Sequence, residues 1–502
     1  MFRTSRSDLY LASLLAVSLT LSGCISSAGI TPKAKRLDNA QLLTDKAIRK
    51  AEQAADWPKA QWWQAYGDPQ LNAWVDMALA GSPDLAVAAA RVRRAQALAG
   101  VAGAAQAPQV NYAASMQHKK WPTDNFYGPG PLADSSTWNN TELLGLSFDL
   151  DLWGRLRSNS EMAVDLAQVA ATEARAAALE LQSNVVRSYI MLAMHHAHLD
   201  IAEAELKQLE ELLKLAQERQ RIGLGTQQEV TDAEAPLPEA HRQIDLVREE
   251  IALTRNQLAA LAGKGPGEGA QLKRPKLALQ GEPQLPSNLP LELLGRRPDV
   301  VASRWMVSAQ ARGIEMAKTD FYPNINLIGT LGTMATQGVM LDFLGQDKLT
   351  YGLGPALTLP IFDGGRLRGQ LGAASAGYDM AVELYNGTLV RALQSVSDQL
   401  IRLKSLHEQE EFVAHSLETA EERVRLAEEA HQRGLTDYSA VLKAKTLVFQ
   451  QQRLQQQVRA THLSAQSALW VALGGGVLQP GSSPADSKLA PRDVKLHLPG
   501  QP

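Results

Sequence analysis

The sequence predicts a mixed α and β membrane protein with an internal structural repeat. Each subunit supplies a few barrel strands and two long helical hairpins. Three observations predict this: a duplication at constant offset, segments of period-two alternation, and helical stretches with an apolar repeat of 3.5 residues. The duplication is direct. Asp151-Leu-Trp-Gly-Arg-Leu-Arg157 is echoed by Phe362-Asp-Gly-Gly-Arg-Leu-Arg368, Gly223-Leu-Gly-Thr226 by Gly434-Leu-Thr-Asp437, and Leu258–Gly263 by Leu469–Gly474. The separations 365−154, 434−223 and 474−263 all equal 211. A constant offset without gaps marks an internal repeat. Each copy reads as a long helix, a Gly-containing turn and a returning helix.

Composition narrows the class. The chain has 502 residues, a net charge of −3 and only 5% aromatic residues. The pI near 6.4 advertises no basic face, so no nucleic-acid partner is expected. Mean hydropathy is −0.19. After residue 21 no apolar run approaches the roughly 20 residues of a spanning helix, so helices do not carry the chain across a bilayer. The start of the chain differs. Arg3 and Arg6 precede an apolar run from Leu9 to Leu21 and then Leu21-Ser-Gly-Cys24, an export signal over 1–23. Leu-Ser-Gly-Cys resembles the bacterial lipoprotein box, in which the Cys is lipidated. Cys24 is the single cysteine, which fits an anchor and excludes a disulfide within the subunit. Ile25 in place of Asp resembles an outer-membrane address. The alternative is a plain signal peptide with an incidental Cys.

The chain then divides as follows. Residues 24–67 form a lipidated arm, loosely ordered to about 56, that ends in an aromatic knot at Trp57, Trp62, Trp63 and Tyr66. A helix of the first repeat covers 68–107, with Ser82-Pro83 as a capping Ser and a first-turn Pro. A β-hairpin covers 108–152. Val110, Tyr112, Ala114 and Met116 alternate with polar or small residues, a polar loop runs from about His118 to Asn140, and Leu144, Leu146, Phe148 and Leu150 alternate again. A helical hairpin covers 153–263 and an equatorial crossover 264–296. The second repeat gives a helix at 297–322, a β-hairpin at 323–362, a helical hairpin at 363–474 and a disordered tail at 475–502. In its strands Ile325, Leu327 and Leu331 face away from Asn324, Asn326 and Thr330, and Tyr351, Leu353, Leu357 and Leu359 alternate with Gly352, Gly354, Ala356 and Thr358. Alternation over about ten residues is the weak signature of a membrane barrel strand, although a soluble hairpin has the same pattern. The pairs Pro83/Pro298 and Pro108/Pro323 differ by 215, so the second hairpin is four residues shorter.

Leu199, Ala202, Leu206, Leu209, Leu213 and Ala216 are spaced 3, 4, 3, 4, 3, the repeat of left-handed coiled coils. Arg155 to Arg221 is 67 residues. At 1.5 Å per residue that is roughly 100 Å of polar rod, which must stand in water. Four strands cannot close a barrel, and open edges in lipid cost several kcal/mol per unpaired backbone group. The subunit must therefore oligomerise. Two copies give eight strands with a nearly filled interior, whereas three copies give twelve around a water-filled pore. The arithmetic prefers a trimeric 12-stranded transmembrane β-barrel, four strands per subunit, on a long α-helical coiled-coil barrel.

The chain resembles the outer-membrane efflux channel-tunnels (TolC-like), in the NodT-type lipoprotein branch. The resemblance rests on Leu21-Ser-Gly-Cys24, Trp62-Trp63 with Tyr66-Gly-Asp-Pro69, Phe148-Asp-Leu-Asp-Leu-Trp-Gly-Arg155, Arg296-Arg-Pro-Asp299, Phe321-Tyr-Pro323, Pro360-Ile-Phe-Asp-Gly-Gly365 and Gly434-Leu-Thr-Asp-Tyr438. It implies a homotrimer in outer-membrane lipid with its helices in the periplasm. It also implies docking to a periplasmic membrane-fusion adaptor and an inner-membrane pump, most often of the resistance-nodulation-division (RND) type. Such a channel is a passive gated exit duct for drugs and toxic compounds, with no catalysis and no cofactor. The turns Gly223, Leu224, Gly225, Thr226 and Gly434, Leu435, Thr436, Asp437 then become adaptor-docking tips; their plain reading is helix stops with left-handed Gly. Asp232 and Lys443, at matched positions since 443−232 is 211, become a periplasmic gate together with Ser439. The family often has Arg in the first copy and Asp in the second, so the charges here are exchanged. The plain reading is solvated helix faces.

Asp149 and Asp151 are expected to face the lumen near the inner end of the barrel and to favour cations. Pro236 and Pro238 fall inside the return helix, where Pro breaks hydrogen bonds. His195, His196 and His198 sit mid-rod without a second cluster, so no metal site is expected. No nucleophile–base spacing or phosphate loop suggests an enzyme. The competing class is a structural coiled-coil envelope lipoprotein or adaptor without channel activity. It accounts for the rods and Cys24 but not for two amphipathic strand pairs in register.

Overall fold

The computed structural model describes residues 26–37, 59–123, 132–278, 296–336 and 340–476. After a 3-10 turn at Trp62–Tyr66 come helices α1 (Pro69–Gly81) and α2 (Pro83–Ala104), then strands β1 (Gln109–Lys120) and β2 (Ser136–Asp149). The first helical hairpin is α3 (Arg155–Arg221), α4 (Gln227–Glu234) and α5 (Leu237–Leu261), followed by the short α6 (Pro266–Ala270). The second copy is α7 (Pro298–Thr319), β3 (Asn324–Ala335), β4 (Leu349–Thr358), α8 (Arg366–Gln432) and α9 (Tyr438–Ala472). The duplication governs these boundaries. The starts and ends of α3 and α8 differ by 366−155 and 432−221, both 211. Those of α2 and α7 differ by 298−83 and 319−104, both 215.

The four strands form one antiparallel sheet in the order β1-β2-β3-β4. Its register places Val110 opposite Leu146, Tyr112 opposite Leu144, Leu144 opposite Leu331, and Leu331 opposite Tyr351. Directly opposed residues share a face, so the apolar sets of all four strands coincide. Towards the outer end Glu142 and Asn140 interrupt this face. Glu142 accepts a hydrogen bond from the Tyr112 hydroxyl at 2.7 Å, and the Asn140 side-chain amide donates to the Met340 carbonyl at 2.6 Å. The strands run further than their apolar alternation, to Lys120 and from Ser136, so the loop between them is shorter than the polar stretch suggests.

Four helices also lie in a row. Near the sheet α3 packs between α2 and α7, and α7 packs against α8; further away α3 packs between α5 and α9, and α9 packs against α8. Leu258, Ile244, Val247 and Ile251 of α5 are buried in this row, as the apolar repeat predicts. Among the described residues no helix is long and apolar enough to cross a membrane.

The region 68–107 holds two helices, the second starting at Pro83 as the Ser82-Pro83 pair predicts. That Ser has the right position but its side chain makes no capping bond. The working cap is Asp68. Its carboxylate accepts from the Gln70 amide at 2.9 Å, from the Tyr189 hydroxyl at 2.8 Å and from the Lys276 amide at 2.7 Å. One buried side chain thus joins α1, the long rod α3 and the crossover. Tyr66 is fully buried beside it, with its ring 5.6 Å from that of Trp470 and its hydroxyl donating to the Leu463 carbonyl at 2.7 Å. Most of the crossover, and Trp57, lie outside the described residues. Pro236 divides the return helix between α4 and α5, whereas its counterpart α9 is unbroken.

Asp68→Ala removes a cap and leaves the buried Tyr189 hydroxyl and the part-buried Lys276 amide without their acceptor, a loss of about 3 kcal/mol. The expected outcome is a clearly lower urea midpoint by circular dichroism, with Asp84→Ala on exposed α2 close to wild type. Equal midpoints would deny Asp68 this role.

Candidate functional site: helical tips, sheet edges and the N-terminal strap

The two turns at the ends of the rods have one geometry. The Leu224 amide donates to the Arg219 carbonyl and the Gly223 amide to that of Gln220; Leu435 and Gly434 bond Ala430 and His431 in the same way. These are paired Schellman closures, which need a left-handed residue after the helix. Gly223 has φ +75° and Gly434 φ +71°, and a Cβ on either would meet nothing within 4 Å. Conformation, not space, requires glycine here. Thr226 caps α4 by accepting from the Glu229 amide at 3.2 Å, with Gly225 between the turn and the cap. Asp437 caps α9 by accepting from the Ala440 amide at 3.2 Å and also accepts from the Ser439 hydroxyl. That hydroxyl bond, with the Ala440 amide, holds the Asp437 carboxyl below the usual aspartate range despite some burial. Thr436 gives its carbonyl to the ring of His431. What the turns display is apolar: Leu224 is 68% and Leu435 76% exposed.

Asp232 and Lys443 are both exposed, and among the described residues no ion pair joins them within the subunit. Ser439 is engaged with Asp437 rather than with either of them. Asp149 and Asp151 sit where the sheet meets α3. Asp149 pairs with Arg155 at 2.9 Å, and Asp151 accepts from the Leu156 and Arg157 amides at 2.8 and 2.9 Å. Their carboxylates hold the strand-to-helix corner. Trp153 stacks on Tyr322 at 4.9 Å beside it, as an interfacial aromatic pair. The three histidines diverge. His195 meets Glu250 at 2.9 Å and His198 faces the Arg453 carbonyl, while burial, then Arg255 and Arg274, pull His196 below the usual imidazole range. Among the described residues no group of three or more His, Cys, Asp or Glu is placed to hold a metal.

Residues 26–37 correct the expectation of a loosely ordered arm. They lie as an extended strap along the groove between α7 and α8. Asp379 accepts from the Lys33 and Ala34 amides, both at 2.9 Å. Asn386 accepts from the Leu37 amide at 2.9 Å and donates to the Lys35 carbonyl at 3.0 Å. Ile30 packs with Ile314, Ala317 and Leu371. Arg368 donates to the Ser26 and Ala28 carbonyls, which fixes the start of the strap beside the first turn of α8. Sequence reasoning missed this because an extended chain bound through its backbone leaves no periodicity. Cys24 itself lies outside the described residues.

Comparison with known proteins now decides the family. The family model described as outer membrane efflux protein matches residues 74–264 and 289–475. The chain belongs to the outer membrane efflux protein family. It is 52% identical over 364 residues to the fusaric acid resistance protein FusA of Burkholderia cepacia, covering 72% of this chain and 69% of that one. It is 30% identical over 484 residues to the multidrug resistance outer membrane protein MdtP of Shigella flexneri, covering 95% and 98%. The outer membrane protein VceC of Vibrio cholerae superposes with a TM-score of 0.76 at 33% identity, covering 84% of this chain and all of that one. The fold class is therefore that of the trimeric outer-membrane efflux channels: four barrel strands per subunit above a helical tunnel, serving as an exit duct.

Proposed function

We propose that three copies of this chain form a gated duct that passes small toxic organic compounds out of the cell, in series with a periplasmic adaptor and an inner-membrane pump of the RND type. The observation that carries the reading is the four-stranded sheet with one continuous apolar face and two unpaired edges, set on polar rods of roughly 100 Å. Such edges are untenable in lipid unless another copy pairs with them. The helical rows end in the same unfinished way. Val87, Leu98 and Val101 of α2, and Met380, Leu384 and Phe412 of α8, are exposed apolar side chains on the outermost helices. The relatives named for fusaric acid and multidrug resistance support small organic toxicants as cargo.

Four further assignments follow from this reading. Cys24 carries the lipid. Ser26, two residues further on, is held by Arg368 beside the first turn of α8. The exposed Leu224 and Leu435 at the Gly turns are the adaptor contacts. Asp232 and Lys443 of neighbouring copies face one another across the tunnel mouth, and Asp149 and Asp151 add negative charge near the inner end of the barrel.

Cys24→Ser should abolish palmitate labelling and lower outer-membrane recovery, while Ser26→Ala should do neither; continued labelling would reject the anchor. Gly434→Leu strains the left-handed turn at an exposed tip far from the sheet, so it should disturb the tip, leave the trimer intact and abolish drug resistance in cells. Normal efflux there would remove the tip from adaptor docking. In planar bilayers the purified protein should conduct as a trimer. Lys443→Asp should raise single-channel conductance, and Asp232→Lys added to it should restore the closed level. Unchanged conductance in both would discard the gate, and a non-conducting monomer would discard the duct.

A further inference from the structure

The internal duplication contains enough information to write the register of the seam between subunits, which no single subunit displays. Two offsets relate the repeats: 215 from β1 to β3 and 211 from β2 to β4. They can be checked inside one subunit. Applied to the β1–β2 pair Gln109 with Ser147, they give Asn324 with Thr358, and that pair is observed in β3–β4. Applied to Lys119 with Thr137 they give Met334 with Lys348, which continues that register beyond the end of β4. The two hairpins are thus superposable rung for rung.

The junction β2–β3 joins the end of one repeat to the start of the next. In a closed ring the only other junction of that kind is β4 of one subunit with β1 of its neighbour. We propose that this seam repeats the β2–β3 register. This rests on the trimeric duct proposed above. Adding 211 to the β2 residue and subtracting 215 from the β3 residue turns Asn140 with Ala335 into Tyr351 with Lys120, and Ser147 with Ile328 into Thr358 with Ala113. Between them Leu353 faces His118, Pro355 faces Met116 and Leu357 faces Ala114. From residue 351 to 358 the seam has eight rungs, covering most of β4.

The register keeps the two faces of the sheet continuous across the seam. Register in a sheet with one apolar face tolerates no slip by one residue, because each such slip sends every side chain to the wrong side. The derived pairs set Tyr351, Leu353 and Leu357, all on the apolar face of β4, against Lys120, His118 and Ala114, all on the same face of β1 as Val110 and Tyr112. Tyr351 and Leu353 are 80% and 74% exposed in the isolated subunit, as seam residues must be before the neighbour arrives. Leu357 against Ala114 sets a large side chain beside a small one.

Paired cysteines test the register. The native Cys24 is the single cysteine of the chain, so background crosslinking is low. His118→Cys with Leu353→Cys, Ala114→Cys with Leu357→Cys and Met116→Cys with Pro355→Cys are compared with His118→Cys with Leu357→Cys, an offset of four residues. Four residues displace the sulfurs by about 13 Å along the strand, beyond disulfide reach. Wild-type protein is first run unheated to establish the trimer; its absence would sink the trimeric duct and leave the register without a seam. In variants that run as trimers, boiled non-reduced gels should show covalent dimers and trimers from at least one derived pair and none from the offset pair. Crosslinking of the offset pair, or of no pair in assembled channels, overturns the register.

Discussion

A backbone amide in hydrocarbon has no water to turn to, and this constraint shapes the molecule. β1 and β4 are edge strands of 12 and 10 residues. At several kcal/mol for each unpaired group, an exposed edge in lipid costs more than the ~5–15 kcal/mol that holds an average domain together. No rearrangement within one subunit removes that cost, because four strands cannot curl into a cylinder. Closure by neighbours is therefore a condition of insertion. The helices share the condition in milder form, since their unfinished faces stand in water and lose only apolar burial.

The repeats are equal in geometry and unequal in chemistry. Within a subunit α3 and α9 are joined by Glu205 with Arg453 at 2.9 Å and by the buried Gln208, whose amide reaches Thr446 at 3.3 Å. The matched positions in α8 and the return segment of the first repeat hold Ser416 with Arg242 and Thr419 with Ala235. Near the sheet, the Arg312–Glu161 pair at 3.2 Å becomes Ala97 with Gly372. Neither ion pair, Glu205–Arg453 or Arg312–Glu161, is repeated as a charge pair at the matched positions of the other repeat.

Much of this was legible in the sequence because periodic elements announce themselves. The bounds of α3, the faces of all four strands and the shorter second hairpin follow from counting, since a duplicated chain states each boundary twice. The strap along α8 was illegible. Its partners Asp379 and Asn386 read backbone amides and carbonyls, which every residue carries. Asp68 gathers three elements from far apart in the chain, and Ser82 has a capping residue's position without its bond, so spacing alone could not rank them. Asp232 and Lys443 could be matched by arithmetic, but they do not meet within one copy, so a single subunit displays no contact between them.

The break at Pro236 has no counterpart in the uninterrupted α9. Around the closed ring, jointed rods therefore alternate with stiff ones, three of each. The six hairpins of the ring are thus sixfold in outline and threefold in the continuity of their return helices.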